Sequence, residues 1–133
     1  MEAPVNGDLQ YPADYLHAIR TEVPIELEAL SYHSCPFVRA RVAARTNRVH
    51  VLERLAEDRE PAVVANVLGN RLCPPRLAEL IGYWMIHSDA KYHLVWYFAA
   101  LNPHTPDFMR TFLQEKEKCR RAKIREDLKL PPL

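Results

Sequence analysis

Glycine is scarce in this chain, with three glycines among 133 residues, whereas proline is abundant, with eleven. Tight β-hairpins usually need glycine, because glycine reaches positive φ angles without strain. Proline, in contrast, fits the first turn of a helix, where its missing N–H has no partner to lose. The composition therefore favours short helices that begin at prolines and makes a sheet of hairpins a poor expectation.

Cysteine is equally rare, and Cys35, Cys73 and Cys119 are an odd number, widely spaced, with no Cys-x-x-Cys pair. This spacing argues against a disulfide framework and against a zinc site built from thiolates. We expect free, buried thiols in a reducing compartment.

Long hydrophobic runs are also missing. No apolar run approaches the ~20 residues that a membrane helix needs, and the first ten residues, "MEAPVNGDLQ", are too acidic and polar for a signal peptide. We therefore expect a cytoplasmic protein with no membrane partner.

The sequence lacks the common signatures of catalysis. It has no phosphate-cradling glycine loop, nucleophile elbow or His-Glu-x-x-His segment, and no carboxylate pair stands out for acid–base work. His87, Asp89 and His93 are close enough in sequence to share an ion, and His33 with Cys35 is a weaker case, but neither reproduces a known ligand spacing. We expect a protein that is not an enzyme and has no metal or cofactor.

Charge is balanced overall, with 18 Lys and Arg against 17 Asp and Glu, for a net charge of +1. The balance gives no overall attraction to nucleic acid or to an anionic membrane. The two ends differ, because residues 1–30 hold six acids and one base, whereas residues 114–129 hold seven bases and four acids. The chain therefore has an acidic front and a basic tail.

An internal repeat organises the chain. At a shift of 25 residues, "PIELEAL" aligns with "VHVLERL" and then with "PPRLAEL", so that Leu27, Leu52 and Leu77 coincide. "PFVRARVAA" falls on "PAVVANVLG" in the same way. At a shift of 32 residues, 63–81 align with 95–113, which leaves a seven-residue insertion near "GYWMIHS".

Each repeated unit predicts two short helices. Apolar residues recur at spacings of three and four, and links of two to four residues force neighbouring helices to be antiparallel. The predicted helices cover residues 12–20, 24–31, 36–44, 49–57, 61–69, 74–86, 90–101 and 106 to about 128.

The units "PFVRARVAARTNRVHVLERLAED" and "PAVVANVLGNRLCPPRLAELI", followed by "NPHTPDFMRTFL", resemble variant leucine-rich repeats, a bacterial family similar in style to HEAT repeats. The resemblance covers residues 24–113. It implies a solenoid that acts as a recognition surface, and some helical-repeat relatives grip the DNA backbone. The chain departs from the pattern, because Val64 stands where Arg39 stands in the preceding unit and Asn47 is displaced relative to Asn70. The cysteine-rich iron–sulfur segment known before such repeats in one family member is missing, and no catalytic residues transfer.

The predicted fold is all-α: a short right-handed solenoid of about four two-helix repeats, closed by a longer C-terminal helix. Its predicted parts are a flexible N-terminal segment (residues 1–11), a helical-repeat domain (12–113) and a basic C-terminal helix extension and tail (114–133).

A group of aromatic residues is the first candidate site. It comprises Trp84, Trp96, Tyr97 and Phe98. In one interpretation the last repeat helix is buried on every side and these rings are core. In the other they leave an apolar patch open for a protein partner or for a second copy.

An arginine row is the second candidate site. Arg39, Arg41, Arg45 and Arg48 fall in a stretch without acids, and Arg71, Arg76, Arg120, Arg121 and Lys123 extend the basic residues along the chain. The row predicts either a solvated face paired with acids such as Glu53, Glu57 and Asp58, or a surface that meets phosphates. We expect a non-catalytic module that binds a protein partner, with nucleic-acid backbone binding as the alternative; self-association is compatible with both.

Overall fold

The structure, a computed structural model, describes the backbone of residues 6–131 and the side chains of residues 12–131. All regular structure in this range is helical, so the prediction of an all-α chain is confirmed. Of the predicted N-terminal segment, residues 1–5 lie outside the described residues, and helical backbone begins at Asn6.

Eight α-helices occupy the described part of the chain. They are α1 (Asn6–Arg20), α2 (Pro24–Leu30), α3 (Pro36–Arg45), α4 (Val49–Leu55), α5 (Pro61–Gly69), α6 (Pro75–Ile86), α7 (His93–Leu101) and α8 (Asp107–Asp127). A short 3-10 turn, Ala90–Tyr92, precedes α7 and begins where the Asp89 carboxylate accepts the N–H of Lys91. The predicted helix at residues 90–101 is therefore two elements.

The prolines begin the helices as expected. α2, α3 and α5 each start at a proline, and the residue before it (Val23, Cys35 and Glu60) is extended and offers no side-chain cap. This geometry follows from the clash that keeps a residue before proline out of the helical region. Pro12 is the exception, because it lies inside α1 rather than at its start.

The chain divides into two compact units, Met1–Pro74 and Pro75–Leu133. In the first unit, α3 is central and contacts α1, α2, α4 and α5. Its core consists of aliphatic side chains that are no more than 1% exposed: Val38, Val42, Val51, Leu52, Leu55, Val63 and Val67. The recurring leucines and valines of the repeat thus supply this core, although Leu27 and Leu77 lie in different units.

In the second unit, α7 and α8 form the main contact and α6 packs against both. Ile81, Val95, Ala99 and Leu113 are fully buried there. Gly82 allows a close approach within this unit, because a Cβ at this position would lie 3.3 Å from the Met109 sulfur.

The ends of α1, α3, α5 and α7 share one turn. Thr21, Thr46, Asn70 and Asn102 are all buried, and the side-chain oxygen of each accepts the backbone N–H two residues further on, at 2.8 to 3.2 Å. Thr46, not Asn47, is therefore the counterpart of Asn70. Threonine and asparagine can both close this turn, which is why matching residue types alone misses the correspondence.

Candidate functional site

The aromatic residues do not form one exposed group. Trp96 is 4% exposed and Tyr97 is 52% exposed, while Trp84 and Phe98 are half-buried. The Trp96 indole N–H donates to the Ser88 hydroxyl at 2.6 Å, and the Lys116 ammonium lies 4.7 Å from the ring centroid. Trp96 is thus a core residue of the second unit and is removed from the candidate binding surface, which leaves Tyr97 as the most exposed of the four.

The sequence suggested an exposed Trp96 because of the residues that align with it in the earlier units. Trp96 aligns with Val64 and Arg39, and the arginine suggested a position that faces water. In the structure Val64 is buried and the Arg39 side chain is only 12% exposed. An arginine indicates an exposed position only when its charge is solvated. The charge of Arg39 is instead neutralised within the fold by Asp58.

Lys116 closes the end of α6. Its ammonium donates to the carbonyls of Ile86 at 2.9 Å and Ser88 at 2.7 Å, which are carbonyls that the helix end leaves without a partner. Burial lowers the pKa of Lys116, and the nearby Asp89 carboxylate opposes that shift. The residue is therefore structural, although it lies on the basic helix.

A groove with a volume of about 790 Å³ lies between α7 and α8 in the second unit. Tyr97 and Leu101 from α7, Leu113 and Ala122 from α8, and Leu130 beyond α8 supply its apolar surface. Leu101 is 61% exposed. α7 therefore has one buried face, with Val95 and Ala99 at 0% exposure, and one uncovered apolar face.

One wall of the groove is basic. Lys118, Arg121 and Arg125 line it from α8. Of the acids there, Glu117 is held by Arg120 through two hydrogen bonds of 2.9 and 2.6 Å and by Arg121 at 3.1 Å. These bonds, from Arg120 first, lower the pKa of Glu117. The carboxylate of Glu117 is thus paired within the helix.

A second groove of about 700 Å³ lies along another side of α8 in the same unit. Phe112, Cys119, Lys123 and Ile124 line it, with the edge of Trp96. Lys123, a predicted nucleic-acid contact, is exposed here.

The arginine row of α3 is largely engaged in intramolecular contacts. The Arg39 guanidinium makes two hydrogen bonds to Asp58, at 2.8 and 3.1 Å, and donates to the carbonyls of His33 and Ser34 at 2.9 Å. This is the pairing with Asp58 that the solvated-face interpretation included. Arg39 is accordingly a poor phosphate ligand.

Two neighbours of Arg39 are engaged in the same way. Arg45 donates to the Ala18 carbonyl at 2.6 Å and to Glu22 at 3.1 Å, and Arg48 reaches Glu28 at 3.3 Å. Their acidic partners precede α3, whereas Glu53 and Glu57, also considered as partners, follow it. Arg41 differs, because its Nε is buried and has no hydrogen-bond partner within the described residues.

The remaining predicted basic residues are dispersed. Arg71 and Arg76 are exposed and belong to different units. Arg120 and Arg121 are tied to Glu117, and only Arg121 of the two is largely exposed. On the distal half of α8, Lys118, Arg121 and Lys123 are exposed.

The histidines show no metal site. Among the side chains that the structure describes, no three His, Cys, Asp or Glu residues lie close enough together to hold an ion. His33 instead bonds through Nε2 to Asp14 at 2.8 Å, while its Nδ1 accepts the Cys35 N–H at 2.9 Å. These two bonds assign the neutral tautomer with its proton on Nε2.

Within the described residues, no helix combines the length and the apolar character needed to cross a membrane. Comparisons of the chain with protein-family models, with curated protein sequences and with solved structures find no match. The resemblance to variant leucine-rich repeats therefore stays a prediction from the repeat motifs.

Sequence reasoning missed the α7–α8 groove. The absence of strongly apolar residues between Leu113 and Ile124 suggested only that the basic helix projects or lies on the surface. The available signal was the spacing of Lys118, Arg121 and Arg125, which at three and four residues places all three on one helix face.

Proposed function

We propose that this chain is a non-catalytic, cytoplasmic interaction module that binds a protein partner through the groove between α7 and α8. The observation that carries the proposal is the exposure of Tyr97 and Leu101, at 52% and 61%, on a helix whose opposite face is fully buried. A groove formed by two packed helices is preorganised, so a partner loses little free energy to ordering of the site. Exposed aromatic and aliphatic side chains in such a groove are typical anchors of an interface.

A repeat architecture is part of the proposal. We infer that the helices belong to about four two-helix repeats in a right-handed solenoid, closed by α8, in the style of variant leucine-rich repeats. The shared turn at the ends of α1, α3, α5 and α7 supports this inference, as does the packing of α3 against both α1 and α5 within the first unit. Repeat proteins of this kind use their surfaces mainly for recognition.

A capture experiment tests the proposed function. The full chain, immobilised as wild type, Leu101→Asp or Phe108→Asp, is incubated with extract of the source cells, and retained proteins are identified by mass spectrometry. Phe108 is the matched control, because it is 69% exposed on α8 and does not line the groove. We expect one or a few proteins on the wild type and on Phe108→Asp that Leu101→Asp does not retain. Identical retention by all three chains contradicts the proposal.

Binding to a nucleic-acid backbone is the second candidate function. The observation that favours it is the exposed basic surface of distal α8, where Lys118, Arg121 and Lys123 are exposed. The ion pairs of Arg39, Arg45 and Arg48 make these three arginines poor phosphate ligands, so we place this candidate on α8. Its affinity is expected to fall steeply with salt and to depend little on sequence.

A fluorescence titration with mixed-sequence duplex and single-stranded oligonucleotides at low ionic strength tests the second candidate. Lys123→Glu is expected to weaken binding, and Arg71→Glu, an exposed charge reversal in the first unit, is expected to leave it unchanged. Absence of binding at micromolar protein rules this function out.

A further inference from the structure

We propose that the groove between α7 and α8 is a docking site for an amphipathic helix of a partner protein that carries carboxylates along one edge. The inference rests on the proposed function and adds to it the chemistry of the partner. It follows from three features of the groove: its apolar floor, its basic wall and its length.

The apolar floor of the groove, formed by Tyr97, Leu101 and Leu130, lies along a face of α7 that the corresponding helices of earlier repeats pack against a neighbour. Tyr97 of α7 aligns with Ala40 of α3 and Ala65 of α5, and both alanines are buried. The same position is therefore a packing position in the two earlier helices and an uncovered one in α7. Tyr97, Leu101 and Leu130 leave their apolar surface open to solvent there, and the face of another helix with apolar side chains at spacings of three and four would cover it.

The basic wall selects the charge of that helix. Gln114, Lys118, Arg121 and Arg125 line the groove at spacings of four, three and four, the pattern of residues that meet a second helix along a seam. Three of these four are cationic. Carboxylates on the facing edge of a partner would meet the ammonium and the guanidinium groups in charge-assisted hydrogen bonds.

The acids in the groove do not cancel this wall. Glu117 is already bonded to Arg120 and Arg121, so its charge is largely neutralised within α8. Glu126 is the other acid among the groove residues. Arg125 donates through Nε to the Pro131 carbonyl at 2.8 Å, a neutral acceptor that leaves its charge unpaired by that bond. The wall therefore presents more positive than negative charge to a bound segment.

The length of the groove fits a short helix. From Gln114 to Arg125, α8 rises by roughly 16 Å, at about 1.5 Å per residue, so about three turns of a partner helix can lie along the wall. The leucines of the apolar floor argue against nucleic acid as the occupant, because leucine side chains neither stack on bases as aromatic rings do nor bond to phosphates. Tyr97 is the one aromatic residue among the described groove residues. A helix that is apolar on one face and acidic along its edge satisfies both surfaces.

Fluorescence anisotropy with designed peptides tests the inference on the full chain. The probe is a fluorescein-labelled 17-residue helical peptide with leucines on one face and glutamates along the adjoining edge. Matched probes carry lysines on that edge, or serines in place of the leucines, and a labelled DNA duplex serves as the nucleic-acid arm. We expect micromolar binding of the glutamate peptide, and affinity at least tenfold lower for both altered peptides and for the duplex.

Variants of the chain locate the binding. Leu101→Asp is expected to lower the affinity for the glutamate peptide at least tenfold, and Phe108→Asp is expected to leave that affinity unchanged. The Lys118 side chain makes no intramolecular bond among the described contacts. Lys118→Glu is expected to lower the affinity for the glutamate peptide and to raise the affinity for the lysine peptide. Restored affinity of this charge-exchanged pair supports the groove as the site, and a change in folding alone would not produce it.

The inference is overturned if the glutamate and lysine peptides bind equally, if no peptide binds, or if the duplex binds more tightly and displaces the peptide. These results are distinguishable from failure of the proposed function. If Leu101→Asp still abolishes capture of a cellular protein while the glutamate peptide does not bind, the groove binds a partner of another chemistry. If both experiments fail, the proposed function fails with the inference.

Discussion

Single polar side chains hold several helix ends in this protein. Lys116 closes the end of α6, and Arg110 donates to the carbonyls of Asn102 and Thr105 at 3.1 Å, beyond the end of α7. The sequence predicted Lys116 only as part of the basic C-terminal helix extension, because a cationic side chain is usually solvated. Carbonyls at helix ends are the competing destination, and a charge pattern alone does not distinguish the two.

Replacement of Lys116 measures the contribution of one such contact. Lys116→Met keeps most of the aliphatic stem and removes the donor to Ile86 and Ser88, and we expect a loss of about 1.5 kcal/mol in the free energy of unfolding. The loss is expected at the lower end of the range for charged groups, because burial, which lowers the pKa of Lys116, opposes the hydrogen bonds. Urea unfolding measures it, with Lys118→Met as the exposed control. Equal stability of wild type and Lys116→Met would mean that the two effects cancel.

At the scale of the helices, the same side-chain-to-backbone turn follows α1, α3, α5 and α7. The Asn70 amide also donates to the carbonyls of Ala43 at 2.9 Å and Thr46 at 2.8 Å. It thereby joins the end of α5 to the end of α3. This link crosses between consecutive units of the sequence repeat within the first compact unit.

Asn70→Ala tests the link. The substitution removes two donors to buried carbonyls and the acceptor for the Leu72 N–H, so we expect destabilisation of about 2–4 kcal/mol. Asn66→Ala is the matched control on the same helix, since its amide bonds only to the Ala62 carbonyl one turn earlier, at 2.8 Å. We expect the control to change stability by less than about 0.5 kcal/mol. Similar unfolding curves for the two variants would show that the link between α5 and α3 adds little.

The sequence predicted the helices better than it predicted the sites. First-turn prolines and three-to-four spacing placed α2, α3, α5 and α6 within about one residue of their observed starts, because both signals are local. α1 was predicted to begin at Pro12 but begins earlier. Burial of Trp96 and engagement of Arg39 depend on partners distant in sequence, Lys116 and Asp58, which a one-dimensional pattern does not contain.

For the whole molecule, the three cysteines report on three environments. The expectation of buried thiols holds for Cys73 and is wrong for Cys119, which is exposed, while Cys35 is half-buried. Burial raises the pKa of the Cys73 thiol to about 11. Because the thiolate is the reactive form, Cys73 stays protonated and protected at neutral pH while the fold is intact.

Thiol titration with a disulfide reagent at pH 8 checks this arrangement. We expect Cys119 to react fastest in the native protein, Cys35 more slowly, and Cys73 only after unfolding; Cys119→Ser is expected to remove the fast phase. Stability linked to Cys73 is complete below its unfolded pKa and is lost as the pH rises from about 9 toward 11. Rapid reaction of Cys73 in the native state would contradict the assigned burial.

Gly82 lets the second unit close without a gap between α6 and its neighbours. A methyl group there would meet the Met109 sulfur at 3.3 Å and the Thr105 methyl at 3.6 Å, and a flexible thioether can retreat by the few tenths of an ångström required. A branched side chain in place of Gly82 is too large for this adjustment and would push α8 away from α6. Since α8 also forms one wall of the groove, the width of the opening is adjustable from a buried residue that no partner touches.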